Sequence, residues 1–401
     1  MSAANVTSIG FAIYTRRDRT MEPRKEGLPH YLSLRPSRII GVEEIVNREI
    51  AANKERAMGS VQTVPVIDVA PFLAGDPVGE QEVVRQVGRA CETIGFLVIT
   101  GHGIAADLQA RVFDVCREFF DLPEEEKLRS FTVPGTYFGY NPVGAERVAY
   151  SRGDKTPPDL KANFTFGRLD VDDNDPYYNS PLGKQIFTPN VWPERPPQLR
   201  TIVTEYYHAT QKLAKSIMEM FALALQLPRA YFVDRTKKSV EFWRVLDYPA
   251  LTTPPLPGQS RIGAHTDYGT LTLVTADSPG LQVQTPAGEW EDVPYLPGCI
   301  QVNIGDMMAQ WTNDRWLSTM HRVLPPELGA GVRGQRRMAL TYFLTANYDV
   351  VIEPLTTCYS STNPSKYAPV TAWGHLVAKL RRQFSSEGDV DEESREQATA
   401  Q

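Results

Sequence analysis

Three side chains in the second half of the chain have the types and spacing to hold a metal ion. His265 and Asp267 stand two apart in the run Arg261-Ile-Gly-Ala-His-Thr-Asp-Tyr-Gly-Thr, and His321 follows several strand-like segments later. A spacing of two along a strand places both side chains on one face. Two neutral imidazoles and one carboxylate suit Fe(II) and leave the far side of the ion open to small ligands. A lone His in an apolar run also reads as a core histidine, and H-x-D also arises by chance. The three residues alone therefore leave both readings open.

The elements that must position them are strands. From Phe242 onward the sequence predicts strands over 242–247, 262–266, 271–275, 281–285, 299–304, 319–323 and 337–344, separated by Gly, Pro and Asp turns. Short strands in such succession indicate a sandwich or barrel. Ahead of them, 63–68 and the start of 95–103 read as strands, and apolar residues recur at helical spacing over 80–92 and 107–120. A long helix is expected over 198–227, with Ile202, Tyr206, Leu213, Ile217 and Phe221 along one side as core. A closing helix is expected within 364–384. The Asp-, Asn- and Pro-rich stretch 170–197 is expected to be a surface loop.

The wording around the three residues carries a resemblance. The block His265-Thr-Asp-Tyr-Gly-Thr-Leu-Thr-Leu273 is followed in order by Gly280-Leu-Gln-Val283, the GEWEDVPYLPG run at 288–298, Val302-Asn-Ile-Gly-Asp306, the STMHRV run at 318–323, and Arg337 six residues before Phe343. Together with the 242–249 strand and the Gly95–Gly103 turn, these resemble the isopenicillin N synthase-like branch of the iron(II)/2-oxoglutarate-dependent dioxygenases. The resemblance implies a mostly β fold with flanking helices, its core a double-stranded β-helix (jelly roll, cupin-like). It implies a helix and strand region over 58–230 and a catalytic core over 231–384. It makes His265, Asp267 and His321 the ligands of Fe(II), with 2-oxoglutarate and O2 as cosubstrates and ascorbate as a stimulant. His102, in the Gly-flanked turn, is then a structural residue.

The far carboxylate of 2-oxoglutarate needs a fixed cation, and the planar fork of Arg serves this best. In the resembling proteins this Arg opens an R-x-S motif. Counting back from Phe343 lands on Arg337, which shares a strand face with Ala339, Thr341 and Phe343; the rival Arg336 falls on the other face. Tyr248 matches a tyrosine that donates to the same carboxylate. The chain departs from the pattern in having Ala339 for the Ser, and Leu246 and Asp247 for the Asn and Tyr ahead of Tyr248. Tyr140, Asn163 and Phe164 match segments that reach substrate at the barrel mouth, and they read equally as strand packing. The extended run between His321 and Arg337 is expected either to fold over the site or to form a longer hairpin.

The activity implied is oxygenation of a small molecule, by hydroxylation, desaturation or ring closure, in secondary metabolism. Ala339 and Leu246 keep open an iron oxidase of the isopenicillin N synthase or aminocyclopropane-carboxylate oxidase type, which uses no 2-oxoglutarate. The GAHTDYG run also resembles the ethylene-forming enzymes, which oxidise 2-oxoglutarate itself. A barrel that binds a ligand without turnover is the remaining reading, and an intact triad argues against it.

Composition agrees with a globular enzyme. The chain has 401 residues, 42% hydrophobic and 22% charged, with net charge −6. No basic stripe suggests nucleic acid, no apolar run is long enough to cross a membrane, and no obligate protein partner is indicated. The four cysteines, Cys91, Cys116, Cys299 and Cys358, form no C-x-x-C pair and read as a reducing, cytoplasmic setting. Residues 1–57 lie outside the resemblance. They read as a loosely attached extension with a helix over 42–57, as a chain start at Met58, or as a basic transit segment. The polar, acidic stretch 385–401 is expected to be disordered.

Overall fold

Twelve strands carry the architecture of the computed structural model: β1 (Val66–Asp68), β2 (Phe96–Thr100), β3 (Gly139–Asn141), β4 (Ala162–Gly167), β5 (Ser239–Tyr248), β6 (Ile262–His265), β7 (Leu271–Ala276), β8 (Leu281–Gln284), β9 (Trp290–Asp292), β10 (Ile300–Ile304), β11 (His321–Val323) and β12 (Arg337–Asn347). The structure describes residues 63–384 apart from 133–135, 150–152, 154–155 and 327–334; the expectations for 1–57, for 385–401 and for most of the run between His321 and Arg337 lie outside them. The chain divides into two units, 1–48 and 49–401, and every described residue belongs to the second.

The strands form an eight-stranded sheet, ordered β1-β2-β10-β7-β12-β5-β4-β3, and a four-stranded sheet, ordered β6-β11-β8-β9. All of these pairings are antiparallel except β1 with β2. Strands from the region before residue 230 extend both edges of the large sheet, so the two expected regions share one sheet.

Alternation along β12 shows how each strand serves two cores. Met338, Leu340, Tyr342 and Leu344 join Trp243 and Val245 of β5 in a cluster with Val83 and Val87 of α1 (Pro77–Thr93), Phe113 and Phe119 of α2 (Ala106–Phe120) and Tyr206, Met218 and Phe221 of α3 (Leu199–Ala224). Tyr206 also reaches Thr275 of β7 by a 2.8 Å hydroxyl contact. The opposite face carries Ala339, which packs with Leu246, Tyr248, Phe96, Val98, Leu281, Val283 and Val323 in a second cluster drawn from both sheets. A period of two sends alternate residues to these two cores.

The stretch expected as a surface loop holds two short helices, Pro176–Asn179 and Pro181–Ile186. Each has Pro in its first turn and a capping side chain before it: Asp175 accepts from Tyr177 N at 2.9 Å, and Ser180 accepts from Gly183 N at 2.8 Å. Proline preset for the first turn plus a side-chain cap is enough to start a helix. His102 is a turn residue, as expected. Its Nδ1 accepts from Ile104 N at 3.1 Å, so Nε2 carries the proton and donates to Gly298 O at 2.7 Å.

Candidate active site

His265 ends β6 and His321 begins β11, and the two residues face each other across the ladder. Their rings lie 4.2 Å apart between centroids, with Phe96 edge-on to His321 at 5.3 Å. The register shifts between this pair and Val323–Ile262, so β6 carries an extra residue. A bulge of this kind re-aims side chains next to a site. It leaves Gly263 pressed against Ala149, where an added Cβ would sit 2.8 Å from the Ala149 Cβ.

Asp267 follows in the turn after β6. Its Oδ1 lies 3.7 Å from His265 Nε2 and 3.6 Å from His321 Nε2, and one ligand atom from each residue lies within 4.8 Å of the others. All three side chains are buried. The remaining polar atoms are already engaged. His265 Nδ1 faces Gly263 O at 2.8 Å and His321 Nδ1 faces Thr319 O at 3.1 Å, which makes both Nδ1 atoms proton carriers and frees both Nε2 lone pairs. Asp267 Oδ2 accepts from Thr272 Oγ1 at 2.6 Å and from Asn303 Nδ2 at 2.7 Å, which leaves Oδ1. Outer partners of this sort orient metal ligands and set their tautomers. Three unspent donor atoms, two nitrogen and one carboxylate oxygen, thus converge on one point and suit Fe(II).

The electrostatics agree. Burial works against ionising Asp267, but the His321 imidazole beside it, then His265 and Thr272, hold its carboxyl well below the usual range. Burial and the neighbouring His321 push His265 down to about 4. Burial also pulls on His321, yet Asp267 outweighs it and raises this imidazole. A carboxylate with one neutral imidazole is close to the state a divalent ion requires.

Arg337 and Arg336 fall on opposite faces. Arg336 faces outward, its Nε 2.7 Å from Asp247 and its Nη1 2.5 Å from Asp121. Arg337 is only 2% exposed, lies opposite Tyr248 in the β12–β5 ladder, and has its guanidinium 5.2 Å from the Tyr248 ring. Its Nε donates to the carbonyls of Ser278 and Pro279 at 3.2 Å, while Nη1 has no partner. Burial pushes the Tyr248 hydroxyl up, against the pull of Arg337. Two of the three departures, Ala339 and Leu246, are themselves ladder partners two pairs further along. They form a single apolar step.

A cavity of about 150 Å³ adjoins His265 and Asp267, walled by Phe242, Leu246, Ile262 and Phe343, with Arg244 and Glu146 as its charged groups and Leu376 and Leu380 of α4 (Ala372–Phe384) across it. Arg244 Nη1 lies 3.3 Å from Glu146 and Nε donates to Thr165 at 3.0 Å. Lys161, fully buried, also pairs with Glu146. Burial opposes the charge on Glu146, but Arg244 and Lys161 bring its carboxyl down to about 2.

Of the expected substrate residues, only Asn163 approaches this cavity. It hydrogen-bonds Glu146, and its Oδ1 accepts from Thr165 at 3.2 Å. Tyr140 and Phe164, read either as mouth residues or as strand packing, take the packing position. They form one ladder pair on the helix-facing side, packed on Phe119, with the Tyr140 hydroxyl on Glu124 at 3.0 Å. Alternation places Asn163 and Phe164 on opposite faces, so both could not line the cavity. Arg244, Glu146 and the α4 leucines went unnoticed in the sequence. Arg244 had a signal there, two residues before Leu246 on the strand.

Comparison with known proteins agrees with this geometry. Residues 64–195 match the model of the non-haem dioxygenase in morphine synthesis N-terminal region, and residues 240–346 match that of the 2OG-Fe(II) oxygenase superfamily. The chain is 33% identical to a 2-oxoglutarate-Fe(II) type oxidoreductase of Emericella nidulans, over 84% of this chain and 95% of that one. It is 34% identical to a homoarginine-6-hydroxylase of Glycine max, over 80% and 97%. Neurospora crassa T7H, crystallised with alpha-KG and thymine, superposes with a TM-score of 0.70 at 28% identity, covering 80% of this chain and 97% of that one. With relatives this similar along nearly their whole length, and with donors for iron and a buried arginine in place, the chain belongs to the iron(II)/2-oxoglutarate-dependent oxygenases and is a jelly-roll dioxygenase that uses Fe(II), 2-oxoglutarate and O2.

Proposed function

We propose that His265, Asp267 and His321 hold one ferrous ion, that Arg337 and Tyr248 receive the far carboxylate of 2-oxoglutarate, and that the adjoining cavity seats a compact small-molecule substrate. The observation that carries the proposal is the donor accounting at the triad: every polar atom not turned toward the common point is already hydrogen-bonded. Iron held by His265, Asp267 and His321, with 2-oxoglutarate held by Arg337 and Tyr248, would supply an oxidant for an unactivated C–H bond, at the cost of O2 and of decarboxylation of 2-oxoglutarate to succinate and CO2. The protein's part is positioning and exclusion of water. Phe242, Leu246, Ile262 and Phe343 present apolar walls, and Arg244 with Glu146 gives the cavity one polar end.

Hydroxylation of a small metabolite is the outcome that the homoarginine-6-hydroxylase relatives favour. The relatives named for homoarginine and, in Streptomyces hygroscopicus, for validamycin A support a small-molecule substrate. Four free, buried cysteines support a reducing, cytoplasmic setting. Among the described residues no helix is long and apolar enough to cross a membrane.

An anaerobic titration tests the site. With Fe(II) loaded, 2-oxoglutarate is expected to produce the visible charge-transfer band of a chelated 2-oxo acid, weakened in Arg337→Ala. Iron binding with no band would overturn the cosubstrate assignment and return the chain to the oxidase reading.

A further inference from the structure

Two buried guanidiniums lie beside Tyr248, and among the described residues no acid is paired with either. Arg261, just before β6, is 5% exposed, and Arg337 on β12 is 2% exposed. Both flank Tyr248, with guanidinium carbons 5.8 Å and 5.2 Å from its ring. Among the described residues Arg261 contacts only carbonyls, Pro249 O at 3.5 Å and Gln335 O, and its Nε has no partner; Arg337 has carbonyl acceptors at Nε, a hydrogen bond with the Tyr248 hydroxyl and an unpartnered Nη1. Asp247 and Asp277 lie within electrostatic range of Arg261, but Arg336 engages the first and Arg117 the second. Neither Arg261 nor Arg337 has an ion-pair partner among the described residues.

Two like charges buried side by side with open N–H groups are costly unless an anion joins them. The same corner lacks the hydroxyl donor that Ala339 does not provide, and the apolar Leu246–Ala339 step offers nothing in its place. We infer that Arg261 is a second cation for the far carboxylate of 2-oxoglutarate, so that this chain grips that carboxylate between two arginines and Tyr248 where its relatives' pattern uses one arginine, a serine and a tyrosine. The inference rests on the cosubstrate reading above. It adds a residue outside the R-x-S motif and explains how a chain without the serine retains the dicarboxylate. Arg261 acts on binding alone and takes no part in the oxidation.

The test compares two 2-oxo acids that share the iron-chelating head. 2-Oxopentanoate carries a methyl group where 2-oxoglutarate carries its far carboxylate. Full-length protein loaded anaerobically with Fe(II) is titrated with each acid, following the charge-transfer band, in the wild type, Arg261→Gln and Arg261→Lys. Loss of a hydrogen bond to a charged group predicts that Arg261→Gln weakens 2-oxoglutarate by about 10- to 100-fold and leaves 2-oxopentanoate unchanged. Arg261→Lys, which keeps the charge but not the fork, should weaken 2-oxoglutarate less, and it carries the same comparison if the Gln variant does not fold. Equal weakening of both acids would assign Arg261 a purely structural role and overturn the inference, as would no change in either. A wild type that gives no band with either acid would instead overturn the cosubstrate reading itself.

Discussion

At the residue scale, Asp267 decides whether the site can hold a metal. Its two oxygens are differentiated by their surroundings: Oδ2 is taken by Thr272 and Asn303, and Oδ1 faces both imidazoles. Asp267→Ala or His265→Ala removes one of the three proposed ligands and should abolish iron binding and turnover while the circular dichroism of the fold persists. Full turnover in either variant would refute the ligand set. Asn303→Ala leaves all three ligands but frees Oδ2, and loss of such an outer partner costs about 10- to 100-fold in metal affinity. Iron titration under argon measures this. An unchanged affinity would mean that Thr272 alone fixes the carboxylate.

At the element scale, β12 and the turn after β6 are the parts whose geometry cannot slip. A one-residue shift of β12 would exchange Arg337 for Arg336 and bring Met338 and Leu340 into the barrel. Arg337→Ala is therefore expected to raise the 2-oxoglutarate concentration needed for half-maximal rate by at least about tenfold. Arg336→Ala, which loses only outward ion pairs to Asp121 and Asp247, should leave it within about twofold. Equal effects would mean that the strand is out of register with this assignment. The turn is tight in a different way. Gly305 packs against it so closely that a Cβ would lie 2.4 Å from Gly269 O and 2.8 Å from Asp267 O. Backbone cannot yield as a flexible side chain can, so Gly305→Ala should displace the Asp267 turn. Iron affinity is then expected to fall more than in Asn303→Ala, with a lowered melting temperature; unchanged values for both would show that the turn has room.

At the scale of the whole molecule, the C-terminal helix joins the two ends of the site. Lys379 pairs with Asp306 at 2.7 Å, and Asp306 accepts from Thr266, the residue between His265 and Asp267, at 3.2 Å. Leu376 and Leu380 of the same helix face the cavity. Leu376 is 4% exposed, so Leu376→Ala should cost about 2–5 kcal/mol of stability and enlarge the cavity. Thermal unfolding gives the first quantity, and substrate profiling against bulkier homologues of any accepted substrate gives the second. A variant with unchanged stability would show that the helix does not seal the cavity.

What could be read from the sequence alone was whatever depends on neighbours within a strand or on one motif. The H-T-D motif put His265 and Asp267 together, although Asp267 lies in the turn past the end of β6 and not on the strand; the face of β12 separated Arg337 from Arg336, because the side-chain period of two is local physics. The caps Asp175 and Ser180 ahead of their prolines were equally local, and two short helices lay there to be found. Alternation says that Asn163 and Phe164 take opposite faces, but it does not say which face is inward; only the packing of Phe164 on Phe119 decided that. The pairing of Arg261 with Arg337 across Tyr248, the opposition of Leu246 to Ala339, and the meeting of Arg244 with Glu146 join residues far apart in the chain through strand order and register. Residue types, their local spacing and the family of chemistry were legible along the chain. The tertiary structure decided which charges are left without partners, because burial and pairing depend on contacts across sheets that no local pattern encodes.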